Sequence, residues 1–262
     1  MAPDRREFIR SVSAATAVVS TTSAEGIASM MQPASGTTTI KAIAFDAYGT
    51  LFDVFSVTAL CEQLFPANGT ALAQLWRAKQ LQYSLLRSLM ARHKDFWQLT
   101  EDGLVYATKS LKLELTSEKR HQLMDAYLRL AVFPDVKPGL EALKKRGLRL
   151  AILSNGEPKM LQAAAASGGI STLLDAIISV EDVKIFKPSP RVYQLSSSRL
   201  NVGMNEVGFV SSNSWDVNGA GAAGLLTFWI QRNAGEPPEE LGFPARHVVR
   251  AITDVDVLIA KG

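Results

Sequence analysis

From residue 40 onward, short apolar runs of strand type alternate with stretches of helical periodicity, and the apolar runs end on polar residues. This alternation predicts an α/β fold built on a parallel sheet, because parallel neighbours must be joined by crossovers that are usually helices. Apolar runs at 40–45, 149–153, 176–179, 207–210 and 225–230 predict five strands, with helices over 158–166, 190–200 and 217–223. Pro190 suits the first helical position, with Ser189 as its N-cap. The stretch 56–130 breaks the alternation. There Leu72, Leu75, Trp76, Leu86, Leu89 and Met90 fall at helical spacing, and Leu123, Tyr127 and Leu130 do so again. Helices inserted after the first strand could roof a site at the carboxyl ends of the strands, where parallel sheets bind ligands.

Composition narrows the function classes. With 47% hydrophobic residues in 262, the chain can bury one large core, and general disorder is excluded. Its 28 basic and 25 acidic residues leave a net charge of +3. No Lys/Arg block accompanies an aromatic strip, which argues against a nucleic-acid partner. Cys61, the single cysteine, excludes an intramolecular disulfide and a thiolate metal cluster. No apolar run reaches the length of about eighteen residues that a membrane span needs.

The first 39 residues differ in kind. Arg5-Arg6 precedes Phe8 and Arg10, and a weakly apolar Ala/Ser/Val run extends from Ser11 to Ser20. This resembles a twin-arginine (Tat) export signal, with cleavage expected between Ala24 and Thr38. The expected location is the periplasm or another exported compartment. The expected organisation is therefore a signal and linker at 1–39, a core at 40–55 and 131–262, and a helical cap at 56–130.

The chemistry gathers at the predicted strand ends. DAYGTLFD at 46–53 puts the carboxylate of Asp46 just past a buried strand. Gly49 permits a tight turn there, and Thr50 can bond a carboxylate oxygen. LSNG at 153–156 and VSSNSWD at 210–216 follow two other strands, and KPSPRVY lies at 187–193. Taken singly each has an ordinary explanation: Asn-Gly is a common turn, a lone lysine is usually solvated, and Ser/Asn runs are usually loops. Their shared order and placement point to one site.

Those four segments resemble the motifs of the haloacid dehalogenase (HAD) hydrolase superfamily, over about residues 40–232. The resemblance implies a Rossmann-like core, a parallel sheet and an inserted helical cap. It also implies that Asp46 attacks substrate to form a covalent ester. Phosphatases of the superfamily carry a second aspartate two residues after the nucleophile, to protonate the leaving oxygen. Here that position is Tyr48. They also bind magnesium through acidic residues of the fourth motif, where VSSNSWD offers only Asp216. Halide leaves unprotonated and needs neither. LWRAKQLQYSLLRSLM at 75–90 is similar to the cap helix of L-2-haloacid dehalogenases and places Arg77 as the arginine that reaches the site.

The implied reaction is hydrolysis of (S)-2-haloacids to (R)-2-hydroxyacids with inversion. By resemblance, Ser154 holds the substrate carboxylate, while Arg77, Asn155 and Trp215 contact the halide. Lys187 stabilises Asp46 and its ester, positioned by Ser211 and Tyr193. Asp216, aided by Asn213, orients water, and Tyr48 and Phe96 belong to the substrate pocket. No metal or other cofactor is implied. The partner is a small 2-haloalkanoic acid, and members of the family are often homodimers. Three rival readings remain open: a phosphatase of small phosphometabolites, a ring-opening hydrolase on the same scaffold, and an exported binding protein without turnover.

Overall fold

The computed structural model describes residues 39–260. The expected export signal, read from Arg5, Arg6 and the run to Ser20, lies outside the described residues. Six parallel strands form one sheet: β1 (Ala42–Phe45), β2 (Arg149–Ser154), β3 (Ala176–Ser179), β4 (Val207–Ser211), β5 (Leu226–Ile230) and β6 (His247–Val249), in the order β3-β2-β1-β4-β5-β6. Each of the five predicted strands is present within two residues of its expected bounds. All four residues of β1 are fully buried between β2 and β4, as expected for a central strand covered on both faces. Burying the large side chains of Ile43 and Phe45 stabilises the fold by about 1.5–3 kcal/mol each.

Four helices follow β1: α1 (Phe55–Leu64), α2 (Gly69–Leu89), α3 (Phe96–Ser110) and α4 (Ser117–Ala126). Asp95 caps α3 through the Gln98 amide, and Thr116 caps α4 through the Lys119 amide. The apolar residues singled out on α2 do not all face inward. Leu86, Leu89 and Met90 are exposed, whereas the buried stripe runs Gly69, Leu72, Trp76, Gln80 and Ser84. Cys61 is buried in α1, and burial pushes its thiol up to about 12.

The remaining helices are α5 (Val136–Lys145), α6 (Pro158–Ser167), α7 (Pro190–Leu200), α8 (Ser214–Ala222) and α9 (Ile252–Ile259). Ser189 stands at the N-cap of α7 with Pro190 next to it, but its hydroxyl makes no capping bond. The helix expected from residue 217 begins at Ser214, so Trp215 and Asp216 ride on its first turn. Neither α5, α9 nor β6 was foreseen. Pro138 lies in the first turn of α5, where proline is tolerated. At Gly139 the absence of a side chain lets α9 pack close, since a Cβ there would meet Ile252 Cγ2 at 2.5 Å.

The chain leaves the sheet for α1 and returns from α4 along two adjacent connectors. Asp53 donates its amide to Ala131 O at 2.7 Å, and Phe133 donates to Leu51 O at 3.1 Å. Arg232, just past β5, fastens both. It donates to Thr50 O at 2.7 Å and to Asp135 Oδ1 at 2.6 Å, with its guanidinium 4.1 Å from the Phe133 ring centroid. Asp135 also accepts the Ile252 amide at 2.7 Å, which ties α9 to the same point.

Candidate active site

Parallel register sets the site. Phe45 pairs with Ile152 on one side and Val210 on the other, so the residues that follow β1, β2 and β4 emerge together at one edge. Asp46 is the first of them, its amide donated to Val210 O at 2.9 Å. The chain then turns through Gly49 at φ +87°, a left-handed conformation that glycine adopts without steric penalty. That turn returns Thr50 beneath Asp46, with Thr50 Oγ1 3.1 Å from Asp46 Oδ2. Thr50 is held in turn by the Ser212 amide, donated to its Oγ1 at 2.8 Å. Asn213 Nδ2 donates to the same Asp46 oxygen at 3.1 Å.

Lys187 completes the centre. Its side chain is 1% exposed, and Nζ donates to Asp46 Oδ1 at 3.0 Å and to Asp216 Oδ2 at 2.8 Å. Tyr193 donates to Asp216 Oδ1 at 2.7 Å. Burial opposes the ammonium, but Asp216 and Asp46 outweigh it and hold Lys187 above its ordinary value. Burial raises Asp216, and Asp46 adds to the rise while Lys187 and Tyr193 draw it down. One cation thus stands between two carboxylates in a largely buried setting, where charges interact more strongly than in bulk water.

The other expected residues have definite places. Ser154 and Asn155 follow β2, both buried. Ser154 Oγ accepts the Gly156 amide at 3.1 Å, and Asn155 Oδ1 accepts the Lys187 amide at 3.0 Å. Ser211 Oγ accepts the Asn213 amide, and Asn213 bonds Asp46. Tyr193 meets Asp216, so its link to Lys187 runs through that carboxylate. Arg77 extends from α2 and comes 3.4 Å from Tyr48 O. Trp215 and Lys187 line a cleft of roughly 590 Å³ together with Leu75 and Leu85 of α2.

Tyr48 is buried in an aromatic cluster, its ring centroid 6.1 Å from that of Phe96 and 5.8 Å from that of Tyr127. Burial, helped by Tyr127, raises its phenol far above the usual range, so it keeps its proton at neutral pH. Among the described residues its hydroxyl has no hydrogen-bond partner, which leaves that donor to a ligand or water. Among the described residues no group of three or more His, Cys, Asp or Glu side chains is arranged to hold a metal ion.

Three contributors escaped the sequence reading. Ser212 supports Thr50, Arg232 anchors the Thr50 carbonyl, and Gln80 accepts from Arg77 Nη1 at 2.8 Å. Gln80 had a signal. It continues the four-residue spacing of Leu72 and Trp76, and so marks a polar side chain on the buried face.

The fold and this centre define a doubly wound α/β protein whose strand ends carry two carboxylates bridged by a buried ammonium. The chain belongs to the haloacid dehalogenase-like hydrolases, whose family profile matches residues 40–224. An (S)-2-haloacid dehalogenase of Burkholderia cepacia is 45% identical, over 85% of this chain and 96% of that protein. Another, from Pseudomonas sp. strain YL, is 48% identical over 78% of this chain and 87% of its own. The L-2-haloacid dehalogenase of Xanthobacter autotrophicus, solved with chloropropionic acid covalently bound, superposes with a TM-score of 0.79 at 39% identity. It covers 84% of this chain and 98% of that one.

Proposed function

We propose that this chain hydrolyses (S)-2-haloacids to (R)-2-hydroxyacids, with inversion, through an ester on Asp46. The observation that carries the reading is the pair Asp46 and Tyr48. Asp46 is held by Lys187, Thr50 and Asn213 at the end of the central strand. Two residues on, where an acid would be needed for an alkoxide leaving group, stands a phenol whose proton is locked by burial. Halide departs with its electron pair and needs no proton. Relatives that carry this activity at 45% and 48% identity support the reading, as does the covalent adduct in the Xanthobacter enzyme.

In the first step an Asp46 oxygen forms a bond to C2 as the carbon–halogen bond breaks from the opposite side, which inverts the carbon. Ser154 with nearby amides holds the substrate carboxylate, Arg77, Asn155 and Trp215 receive the halide, and Tyr48 and Phe96 wall the pocket. Apolar neighbours keep the attacking carboxylate poorly solvated and hence reactive. In the second step water, oriented by Asp216, adds to the ester carbonyl of Asp46. The carboxylate is regenerated, hydroxyacid leaves, and one proton is released overall. Lys187 stabilises the charge on Asp46 in both steps.

Halide release from both enantiomers of 2-chloropropionate tests this reading. The (S) form should turn over and give (R)-lactate, with a metal chelator making little difference. Equal rates on both enantiomers, or retention of configuration, would defeat it, and loss of activity on chelation would favour phosphatase-type chemistry.

Export is a second part of the proposal, supported by Arg5-Arg6 ahead of the weakly apolar run. Replacing both arginines by lysine should leave precursor in the cytoplasm with the purified enzyme unimpaired. Normal export of the double variant would remove this part.

A further inference from the structure

We propose that Gln80 is a positioning residue that aims Arg77 at the departing halide, which rests on the reading of Arg77 as a halide contact. Gln80 is fully buried on α2, one turn beyond Arg77. Buried side-chain polar atoms are in the large majority hydrogen-bonded, and both the oxygen and the nitrogen of this amide are. Which end faces which partner is decided by chemistry: arginine only donates, so the atom 2.8 Å from Arg77 Nη1 is the amide oxygen. Gln80 Nε2 then donates to Thr100 Oγ1 at 2.6 Å, and the Thr100 hydroxyl donates to Phe96 O at 2.7 Å. Every bond in the chain therefore points one way, from the guanidinium to the backbone of α3. Trp76 fastens the same turn by donating Nε1 to Thr100 O at 2.6 Å.

Arg77 depends on this anchor. Its contact with Tyr48 O, at 3.4 Å, is longer than a well-formed hydrogen bond. Without Gln80 the long side chain regains rotamer freedom that the site has removed. A contact misplaced by an ångström costs up to about 10²-fold in rate.

The experiment compares kcat/KM for (S)-2-chloropropionate and (S)-2-bromopropionate. Chloride is the poorer leaving group and leans harder on the guanidinium. Gln80→Leu should therefore lower the chloride rate by about 10- to 100-fold and the bromide rate by less. The bromide-to-chloride ratio should rise at least about threefold. Gln80→Glu keeps a hydrogen bond but cancels the guanidinium's charge, and should raise the ratio too. Both rates come from one preparation, so any inactive fraction cancels in the ratio. Arg77→Lys serves as the control, and adding Gln80→Leu to it should raise the ratio no further. An altered ratio in Arg77→Lys with an unaltered one in both Gln80 variants overturns the positioning role and leaves the halide contact standing. Additive effects in the double variant also overturn it. Unaltered ratios throughout remove the halide role of Arg77, and this inference with it.

Discussion

Asp46→Asn should release no halide, with the first step slowed by about 10⁴-fold or more, because the amide oxygen is a poor nucleophile. The fate of oxygen in the parent enzyme is the sharper measurement. In a single turnover in heavy-oxygen water, with enzyme in excess, the product hydroxyl should carry the old Asp46 oxygen. The solvent label should stay behind in the Asp46 carboxylate, to be read by mass. Direct attack by water would also invert the carbon, but it would put the label into product at once. Three side-chain donors, from Lys187, Thr50 and Asn213, hold the oxygens of Asp46 and orient it for attack. Label found only in product during the first turnover would sink the covalent route. Asp216→Asn should instead spare the first step and slow release of the ester, so that the adduct on Asp46 becomes visible.

Lys187→Met should be nearly as damaging, for a different reason. It leaves Asp46 and Asp216 facing each other in a dry site without a cation. Activity should fall at least about 10³-fold at neutral pH, and stability by roughly 3–5 kcal/mol, the cost of stripping a buried ion pair of one partner. The pH dependence has a definite sign. In the parent, Lys187 has a raised value, so its contribution is complete below the ordinary lysine range and lost only as the pH climbs through its higher folded value. In the variant the rise that burial imposes on Asp216 is no longer opposed by Lys187. A proton replaces the ammonium, so the contribution of Asp216 is complete below the ordinary carboxylate range and is lost as the pH rises through its higher folded value. Chemical denaturation at several pH values would show this. A stability loss relative to the parent that shrinks from acid toward neutrality would contradict the electrostatic account.

Much of this architecture was legible in the sequence, for reasons that differ by element. The buried strands announce themselves because a strand covered on both faces has no polar positions, as 42–45 illustrates. Asp46 stands out as a carboxylate just past a buried strand, whereas Lys187 and Asp216 were singled out by the resemblance of their segments to the family's motifs. The three-residue β6 lies in a polar, proline-containing stretch, and three residues carry no readable period. On α2, Leu86, Leu89 and Met90 share helical spacing with the buried stripe yet face outward, because periodicity gives a face without saying which neighbour covers it. Arg232 and Ser212 were silent. Their roles depend on the Thr50 carbonyl and hydroxyl, positions that sequence spacing cannot bring within reach.

The strand order has a consequence for how the molecule comes into being. Of the partners of Asp46, Lys187 lies in the chain between β3 and β4, and Asn213 comes only after β4, as does Asp216. While the polypeptide is being made, the carboxylate exists long before the ammonium that neutralises it, and β1 cannot settle into the middle of the sheet until β4 has been synthesised beside it. An unpaired carboxylate at its end resists burial. Substrate turnover is therefore a late property of this chain, one that a truncated or half-assembled molecule cannot show in part.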